Sequence, residues 1–302
     1  MRRDVLGIFL AAIVSTRALA APPEKDPTGD LLATPEQIVA AAMRQSIGAP
    51  AKADLDEQAT VRLSDNLMLV PRDPASRLLK ARGDPVPPGF DALLVSAEGM
   101  DAPGLIRFVP SGFIDSDAAL GWTPEDILSS LNDTLDRGDQ QRARQNLPGR
   151  EARTWVIAPR YNPAAHQLAW AALVVPRTAP RDSDGEVTYH AIGFGREGYI
   201  ELTVVSGMQK AEVIGAMVDG FLDGLNFRPG KGYGDVVPSD HRDGRGLAGA
   251  MGLDALEKAH SSSSFWTSDS FVPVIGSIVA SIGGLSLLIY VRRHLRRRSR
   301  RV

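Results

Sequence analysis

The chain has 302 residues, of which 43% are hydrophobic and 23% are charged. This length allows one large domain or two small ones, and the composition is ordinary for a globular protein. The chain contains no cysteine, so disulfides, metal thiolates and a thiol nucleophile are excluded.

The first 20 residues have the pattern of a secretory signal peptide. Arg2 and Arg3 form a basic start, residues 5–14 are apolar, and the small residues Ala18 and Ala20 define a cleavage site. Cleavage is expected after Ala20, which leaves residues 21–33 as a flexible leader. The alternative is an uncleaved N-terminal anchor, and the shortness of the apolar run argues against it.

Two segments begin with the same capping pattern, TPEQ at residues 34–37 and TPED at residues 123–126. In each, threonine caps a helix, proline takes the first helical position, and the acidic residues favour the positive end of the helix dipole. The pattern predicts a helix after each segment. Gly48 and Gly138 are the predicted stops, since glycine often ends a helix.

Short apolar runs between these two helices predict strands, because proline and glycine bound each run. They lie at residues 60–63, 91–96 and 104–110, around a short helix near residues 75–80. Farther along, residues 154–158 and 168–175 flank a turn that Asn162-Pro163 opens, which predicts a hairpin.

Residues 193–198 read GFGREG, which matches the G-x-G-x-x-G pattern of dinucleotide-binding loops. Such a loop leads directly into a helix, whose N-terminus holds the pyrophosphate. Here the following residues, 199–205, have the two-residue period of a strand. The glycines therefore predict a tight hairpin turn in which Gly198 adopts a positive φ, and no cofactor is expected.

An amphipathic helix is predicted after this hairpin. Its apolar residues recur at helical spacing from Ile214 to Leu225 and form one continuous stripe. Together these elements predict one α+β domain over residues 34–235, an antiparallel sheet with helices mostly on one face. Residues 236–270 are rich in glycine, serine and charged side chains and are predicted to be a polar linker.

Residues 271–291 contain no charged side chain, and as a helix they would be about 31 Å long, against about 30 Å for a bilayer core. They predict a transmembrane helix, and the seven arginines within residues 292–302 predict a cytoplasmic tail. The alternatives are a buried core helix and a sorting signal that is clipped off. Gly276, Ala280 and Gly284 recur every four residues, which predicts packing against a membrane-protein partner or a second copy.

The charges divide between two compartments. Without the signal peptide and the tail, residues 21–291 carry 24 basic and 35 acidic side chains, a formal charge of −11. An acidic domain is not expected to bind nucleic acid, whereas a basic tail favours the anionic inner leaflet. The sequence therefore predicts a single-pass protein of the bacterial inner membrane, with the lipid bilayer as a partner and the N-terminal domain in the periplasm.

Catalytic and metal-binding patterns are missing from the sequence. No pair of the five histidines has the spacing of a zinc site, so no metal is expected, and no serine nucleophile motif is present. His190 and Glu201 are predicted to share one face of the sheet, where an imidazole and a carboxylate could form an acid–base pair. These two residues are the candidate polar site. The alternative is a set of ordinary polar neighbours on a half-exposed sheet.

Several short motifs carry a resemblance to a known family. They are TVRL at 60–63, Trp155, YN at 161–162, HQLAW at 166–170, GREGY at 195–199, VSGM at 205–208, FRPG at 227–230 and YGD at 233–235. In this order the chain resembles the bacterial membrane-anchored family catalogued as domain of unknown function 2167. The resemblance implies a signal peptide, an exported domain and a C-terminal span, and it implies no activity. The acid-rich segment expected before the central helix is reduced here to Asp115 and Asp117.

The expected function is that of an exported module that binds a partner protein or ligand near the membrane without catalysis. This expectation depends on a strong anchor combined with no recognisable catalytic constellation. The alternative is an exported hydrolase with a carboxylate-based site that motifs do not reveal and that includes His190 or Glu201.

Overall fold

The computed structural model describes residues 34–97, 99–116, 123–144 and 146–253. The predicted signal peptide, leader, transmembrane helix and tail lie outside these residues, and so do Gly276, Ala280 and Gly284. No helix within the described residues is long and apolar enough to cross a membrane.

The described residues form five helices and eleven strands. The helices are α1 (Pro35–Arg44), α2 (Arg72–Arg82), α3 (Pro124–Arg144), α4 (Ala211–Gly224) and α5 (Gly246–Ala250). The strands are β1 (Ile47–Gly48), β2 (Lys52–Leu55), β3 (Ala59–Arg62), β4 (Leu67–Pro71), β5 (Phe90–Ser96), β6 (Gly99–Val109), β7 (Arg150–Asn162), β8 (Gln167–Pro176), β9 (Glu186–Phe194), β10 (Tyr199–Gly207) and β11 (Leu225–Phe227).

Eight of these strands form one antiparallel sheet, in the order β1-β4-β5-β6-β10-β9-β8-β7. The remaining strands form a smaller antiparallel sheet in the order β11-β3-β2. Within each half of the large sheet the paired strands are consecutive in the chain, except that β1 pairs with β4, and the pairing of β6 with β10 joins the two halves. The chain is therefore a mixed α+β protein built on a large antiparallel sheet, as predicted.

Different elements cover the two faces of the large sheet. One face packs against α4 and the small sheet, and the predicted apolar stripe of α4 is buried there. Each apolar side chain of this size contributes about 1.5–3 kcal/mol when it is fully buried. The opposite face carries two apolar clusters, one with α1 and α2 and the other with α3 and α5. Between these clusters lies a polar strip that contains His190 and Glu201.

The start of α3 agrees with its predicted cap. The Thr123 hydroxyl accepts a hydrogen bond from the Asp126 N–H at 3.2 Å, and the Asp126 carboxylate accepts one from the Thr123 hydroxyl at 2.7 Å. The predicted stops are wrong, because α3 continues past Gly138 and α1 ends before Gly48, which lies in β1. A glycine inside a helix costs only about 1 kcal/mol, and the packing of α3 against β7 outweighs it.

The GFGREG string forms the tip of the β9–β10 hairpin and leads into a strand. The Gly195 N–H donates to the Gly198 carbonyl at 2.8 Å. Gly198 has a φ of 149°, and a Cβ at this position would lie 2.0 Å from the Val109 carbonyl oxygen. The prediction of a hairpin turn is confirmed, and the glycine is required because β6 approaches so closely.

The chain continues to pack beyond residue 235, where the sequence predicts a linker. The Phe113 N–H donates to the His241 carbonyl at 2.8 Å. Leu247 of α5 is buried, and the Thr134 hydroxyl of α3 donates to the Gly252 carbonyl at 2.8 Å. The packed domain therefore extends through α5, because the few apolar residues of this stretch complete the cluster beside α3.

Two glycines of α4 predict opposite effects of the same substitution. Gly224→Ala is expected to lower the free energy of unfolding by about 1–3 kcal/mol, because its Cβ would meet the Arg62 carbonyl oxygen at 2.2 Å. Gly215→Ala is the matched control, since nothing lies within 4 Å of its Cβ, and it is expected to raise stability by about 0.5–1 kcal/mol. Urea unfolding measures the free energy of unfolding of each variant. Equal effects of the two substitutions would contradict this packing of α4.

Candidate functional site

The candidate residues His190 and Glu201 lie side by side. In the register of β9 and β10, His190 pairs with Thr203 and Glu201 pairs with Ile192, so all four residues share one face of the sheet. His190 Nδ1 and Glu201 Oε1 are 3.1 Å apart. The structure thus brings together the two residues that strand alternation places on one face.

A third charged residue, Arg107 of β6, completes this group. Arg107 is the direct cross-strand neighbour of Glu201, and its Nε donates to Glu201 Oε2 at 2.6 Å. Arg107 is 5% exposed and Glu201 is 2% exposed, so both charges are inside the protein. Three residues form a row across three adjacent strands, and we name them the ion triad: Arg107, Glu201 and His190. The sequence alone did not identify Arg107 as part of this group, because the pairing of β6 with β10 joins distant segments of the chain. The one signal in the sequence was a charged residue inside an otherwise apolar predicted strand.

The surroundings keep Glu201 ionised. Burial alone would raise the pKa of this carboxyl, but the charge of Arg107 and the hydrogen bond with His190 outweigh burial and lower the pKa of Glu201 to about 2. Burial likewise opposes the charge on Arg107, and the neighbouring Glu201 more than compensates and raises the pKa of Arg107. Arg107 and Glu201 therefore each stabilise the other in its ionised form.

Packing also fixes the imidazole of His190. The ring stacks on Trp170 of β8 with a centroid distance of 4.6 Å and an interplanar angle of 11°. A general acid or base must exchange a proton near the working pH. Glu201 has both oxygens engaged, one by Arg107 and one by His190, and its pKa is far below neutral. Glu201 is therefore held as an ionised partner of Arg107 and His190 and not as a carboxyl that exchanges a proton near neutral pH.

A second polar group lies at the end of the sheet, and we name it the hydroxyl cluster. It consists of Ser116, Tyr161, His166 and Tyr233. Ser116 Oγ is 2.9 Å from the Tyr233 hydroxyl and also contacts the Tyr161 hydroxyl. The Tyr161 hydroxyl is 3.3 Å from His166 Nδ1, and the His166 ring stacks on Tyr233 at 3.8 Å. Ser116 is fully buried, so these hydroxyls satisfy one another and join three separate segments of the chain.

The tip of the β9–β10 hairpin binds the segment that follows β11. Arg196 donates two hydrogen bonds to Asp240, at 2.7 and 2.8 Å, and Lys231 donates to Glu197 at 2.7 Å. The hydrogen bonds from Arg196 lower the pKa of Asp240 to about 2. Arg196 Nη1 also donates to the Gly230 carbonyl at 3.4 Å, so the GREGY motif meets the later segment that carries FRPG and YGD and holds this C-terminal part of the domain.

An open depression of about 810 Å³ lies beside the start of α2. Five carboxylates line it, those of Asp54, Asp56, Glu57, Asp73 and Asp91. Asp91, the most buried of them, accepts a hydrogen bond from Arg72 at 2.8 Å. Among the described residues, no group of three or more histidines and acidic residues is arranged to hold a metal ion. The depression is therefore an acidic surface whose deepest carboxylate already has a partner.

Residues 48–260 match the model of a family described as a protein of unknown function, DUF2167. The chain belongs to this family. The match spans both the ion triad and the hydroxyl cluster and ends before the predicted transmembrane helix. The family resemblance inferred from the motifs is thus confirmed for the packed domain.

Comparison with individual proteins adds little to the DUF2167 assignment. No curated protein matches the chain. Among solved structures, the chain is similar to the solution structure of cyanobacterial PsbP (CyanoP) from Synechocystis sp. PCC 6803, with a TM-score of 0.37 and 12% sequence identity. That alignment covers 60% of this chain and 95% of the other.

The ion triad predicts a specific acid sensitivity for this DUF2167 domain. Glu201→Gln is expected to lower the free energy of unfolding by about 3–5 kcal/mol at neutral pH, because it leaves the buried charge of Arg107 uncompensated. The folded pKa of Glu201 is depressed, so its contribution is present above pH 4.5 and is lost as the pH falls towards 2. Urea unfolding measures the free energy of unfolding of both proteins between pH 7 and pH 2.5. The difference between wild type and Glu201→Gln should become much smaller over this range.

Glu197→Gln is the matched control for this measurement. Glu197 also accepts a hydrogen bond from a cationic side chain, but its own side chain is 43% exposed. An exposed pair of this kind contributes about 0–1 kcal/mol. An equal loss in both variants at neutral pH, or an advantage of wild type over Glu201→Gln that stays constant to pH 2.5, would contradict the buried triad.

Proposed function

We propose that this DUF2167 protein is a membrane-anchored module of the bacterial envelope whose exported domain binds a partner protein or ligand without catalysis. The sequence supports this placement through the signal peptide predicted at residues 1–20 and the transmembrane helix predicted at residues 271–291. The observation that carries the non-catalytic part is the ion triad, in which Arg107 neutralises Glu201 inside the sheet and His190 hydrogen-bonds to the same carboxylate.

The triad argues against the alternative, a carboxylate-based hydrolase. Such hydrolases combine one carboxyl that can be protonated with a second that is ionised, and both must reach the substrate. Glu201 is 2% exposed, has a pKa of about 2, and is held by Arg107 and His190. This geometry supports a structural role for the pair, and the surface of the domain is then left for binding.

The proposed partners follow from the anchor. The predicted transmembrane helix would place the protein in the lipid bilayer of the inner membrane, with the domain in the periplasm and the basic tail in the cytoplasm. The small residues Gly276, Ala280 and Gly284 would let a second helix approach closely, either from a membrane-protein partner or from a second copy. The acidic charge of the exported part makes nucleic acid an unsuitable partner.

In-cell crosslinking of the full-length protein tests this proposal. Crosslinked complexes captured from membranes should contain a discrete partner or a dimer. The double variant Gly276→Leu/Gly284→Leu should lose most of that product, because the larger side chains keep the helices apart.

The double variant Ile278→Leu/Ile282→Leu is the matched control, since these positions lie on the other side of the same predicted helix, and it should retain the product. A reporter fused after Val302 should be active only on the cytoplasmic side. Unchanged crosslinking of the glycine variant, or a tail reporter that is active only outside, would overturn the proposal.

A further inference from the structure

The acidic depression beside the start of α2 contains a buried carboxylate that is only partly paired within the described residues. Asp91, the second residue of β5, is 8% exposed and lines the depression. Arg72 donates to its Oδ1 at 2.8 Å, whereas its Oδ2 is buried and has no hydrogen-bond partner. Each carboxylate oxygen is a strong acceptor, and buried polar groups are almost always paired. One half of the Asp91 carboxylate is therefore unsatisfied.

Arg72 does not balance the negative charge around Asp91. Its Nη2 lies 2.8 Å from Asp91 Oδ1 and 3.7 Å from Asp56 Oδ1, so one guanidinium group serves two carboxylates. Burial raises the pKa of Asp91, and Arg72 and the Asp56 backbone N–H oppose this shift without cancelling it. The negative charge of Asp56 raises the pKa of Asp91 further. A second cation beside these two carboxylates would reduce the repulsion between them.

The other carboxylates of the depression add to this excess of negative charge. Asp54 pairs with Arg228 at 2.7 Å. Glu57, in the turn between β2 and β3, and Asp73, in the first turn of α2, are exposed and form no ion pair within the described residues. The N-terminus of α2 supplies only about half a positive charge. Five carboxylates thus face two arginines, Arg72 and Arg228, which leaves a formal charge of −3.

The shape of the depression favours a protein partner over a small cation. Its carboxylates come from three separate segments, the β2–β3 hairpin, the start of α2 and the start of β5, and in the described part of the chain no three acidic residues are arranged to hold a metal ion. The depression is open, whereas small-molecule sites bury most of their ligand. A polypeptide with several cationic side chains can reach separate carboxylates at the same time.

We propose that this acidic depression is the docking surface for a segment of a partner protein that is rich in lysine or arginine. One cationic side chain would lie beside Asp56 and Asp91, and its neighbours would pair with Glu57 and Asp73 at the rim. Complementary charge of this kind speeds association and selects among partners. The inference rests on the binding function proposed above and names the surface and the chemistry of the partner.

Fluorescence anisotropy of a fluorescein-labelled hexalysine peptide tests this docking surface on the full-length protein in nanodiscs of phosphatidylcholine. These lipids carry no net charge, and the predicted span would keep the chain's own basic tail on the opposite side from the domain. Wild type should bind the peptide saturably and less tightly as salt is added, because salt screens the charges. The double variant Asp56→Asn/Glu57→Gln should weaken binding about tenfold, because the depression loses two charges.

Both substitutions are compatible with the fold. Asp56 has a φ of 50°, a left-handed conformation that asparagine tolerates, and both side chains are exposed. The far-UV circular dichroism spectrum and the unfolding midpoint in a neutral detergent establish that the variant is folded.

The double variant Asp182→Asn/Asp184→Asn is the matched control. It removes the same two charges from exposed residues between β8 and β9, in the other half of the large sheet, and should leave peptide binding unchanged. Absence of saturable binding up to about 1 mM peptide, or equal weakening in both double variants, would overturn the docking surface. Displacement of the peptide by spermidine as effective as that by unlabelled peptide, at the same concentration of positive charge, would assign the depression to free polyamines and would also overturn it.

Peptide binding and the function proposed above can fail separately. The peptide is measured on the purified protein, whereas the complex with a membrane partner is measured by crosslinking in cells. A crosslinked complex without peptide binding would reject only the basic segment as the ligand of the depression. Peptide binding without a crosslinked complex would reject the proposed association through the predicted span and retain the docking surface.

Discussion

The buried pair of Arg107 and Glu201 is the interaction around which the large sheet is organised. The pair joins β6 to β10, and this contact connects the two halves of the sheet. A slip of one residue between β6 and β10 would turn one of the two charges towards the face that packs against α4 and would leave the other charge without its partner. Replacing a buried ion pair with apolar residues is often neutral or stabilising, whereas a charge without its partner is costly. The pair therefore specifies the register of the central strands more than it adds to stability.

The same row of charges explains how the covering elements are arranged and how the domain could serve as a binding module. Because polar side chains occupy the middle of one face, the apolar residues there divide into two clusters, each with its own helices. At the end of the sheet, the hairpin tip and the hydroxyl cluster hold the segment that leads to the predicted anchor. The 17 residues between Leu253 and the predicted span reach at most about 60 Å when extended, so an anchored domain would stay close to the bilayer.

Local signals in the sequence predicted the local structure well. The capped start of α3, the buried stripe of α4 and the GFGREG hairpin are each encoded within a dozen residues, and strand alternation was enough to place His190 beside Glu201. The remaining features depend on contacts between distant segments. Arg107 meets Glu201 only through the β6–β10 pairing, and the hydroxyl cluster joins three segments that share no local pattern. The stop at Gly138 failed for the same reason, because packing of α3 on the sheet outweighed a local preference.

The protonation state of Glu201 tests most directly whether a buried charge pair organises this sheet. Carbon-13 NMR of the glutamate side-chain carboxyl groups, assigned with Glu201→Gln, follows this group as the pH is lowered. The structure predicts that the Glu201 signal keeps its ionised chemical shift well below pH 4.5 and titrates near pH 2 if the protein remains folded. A Glu201 carboxyl that titrates at or above pH 4.5 would mean that Arg107 and His190 do not hold it as a counter-ion.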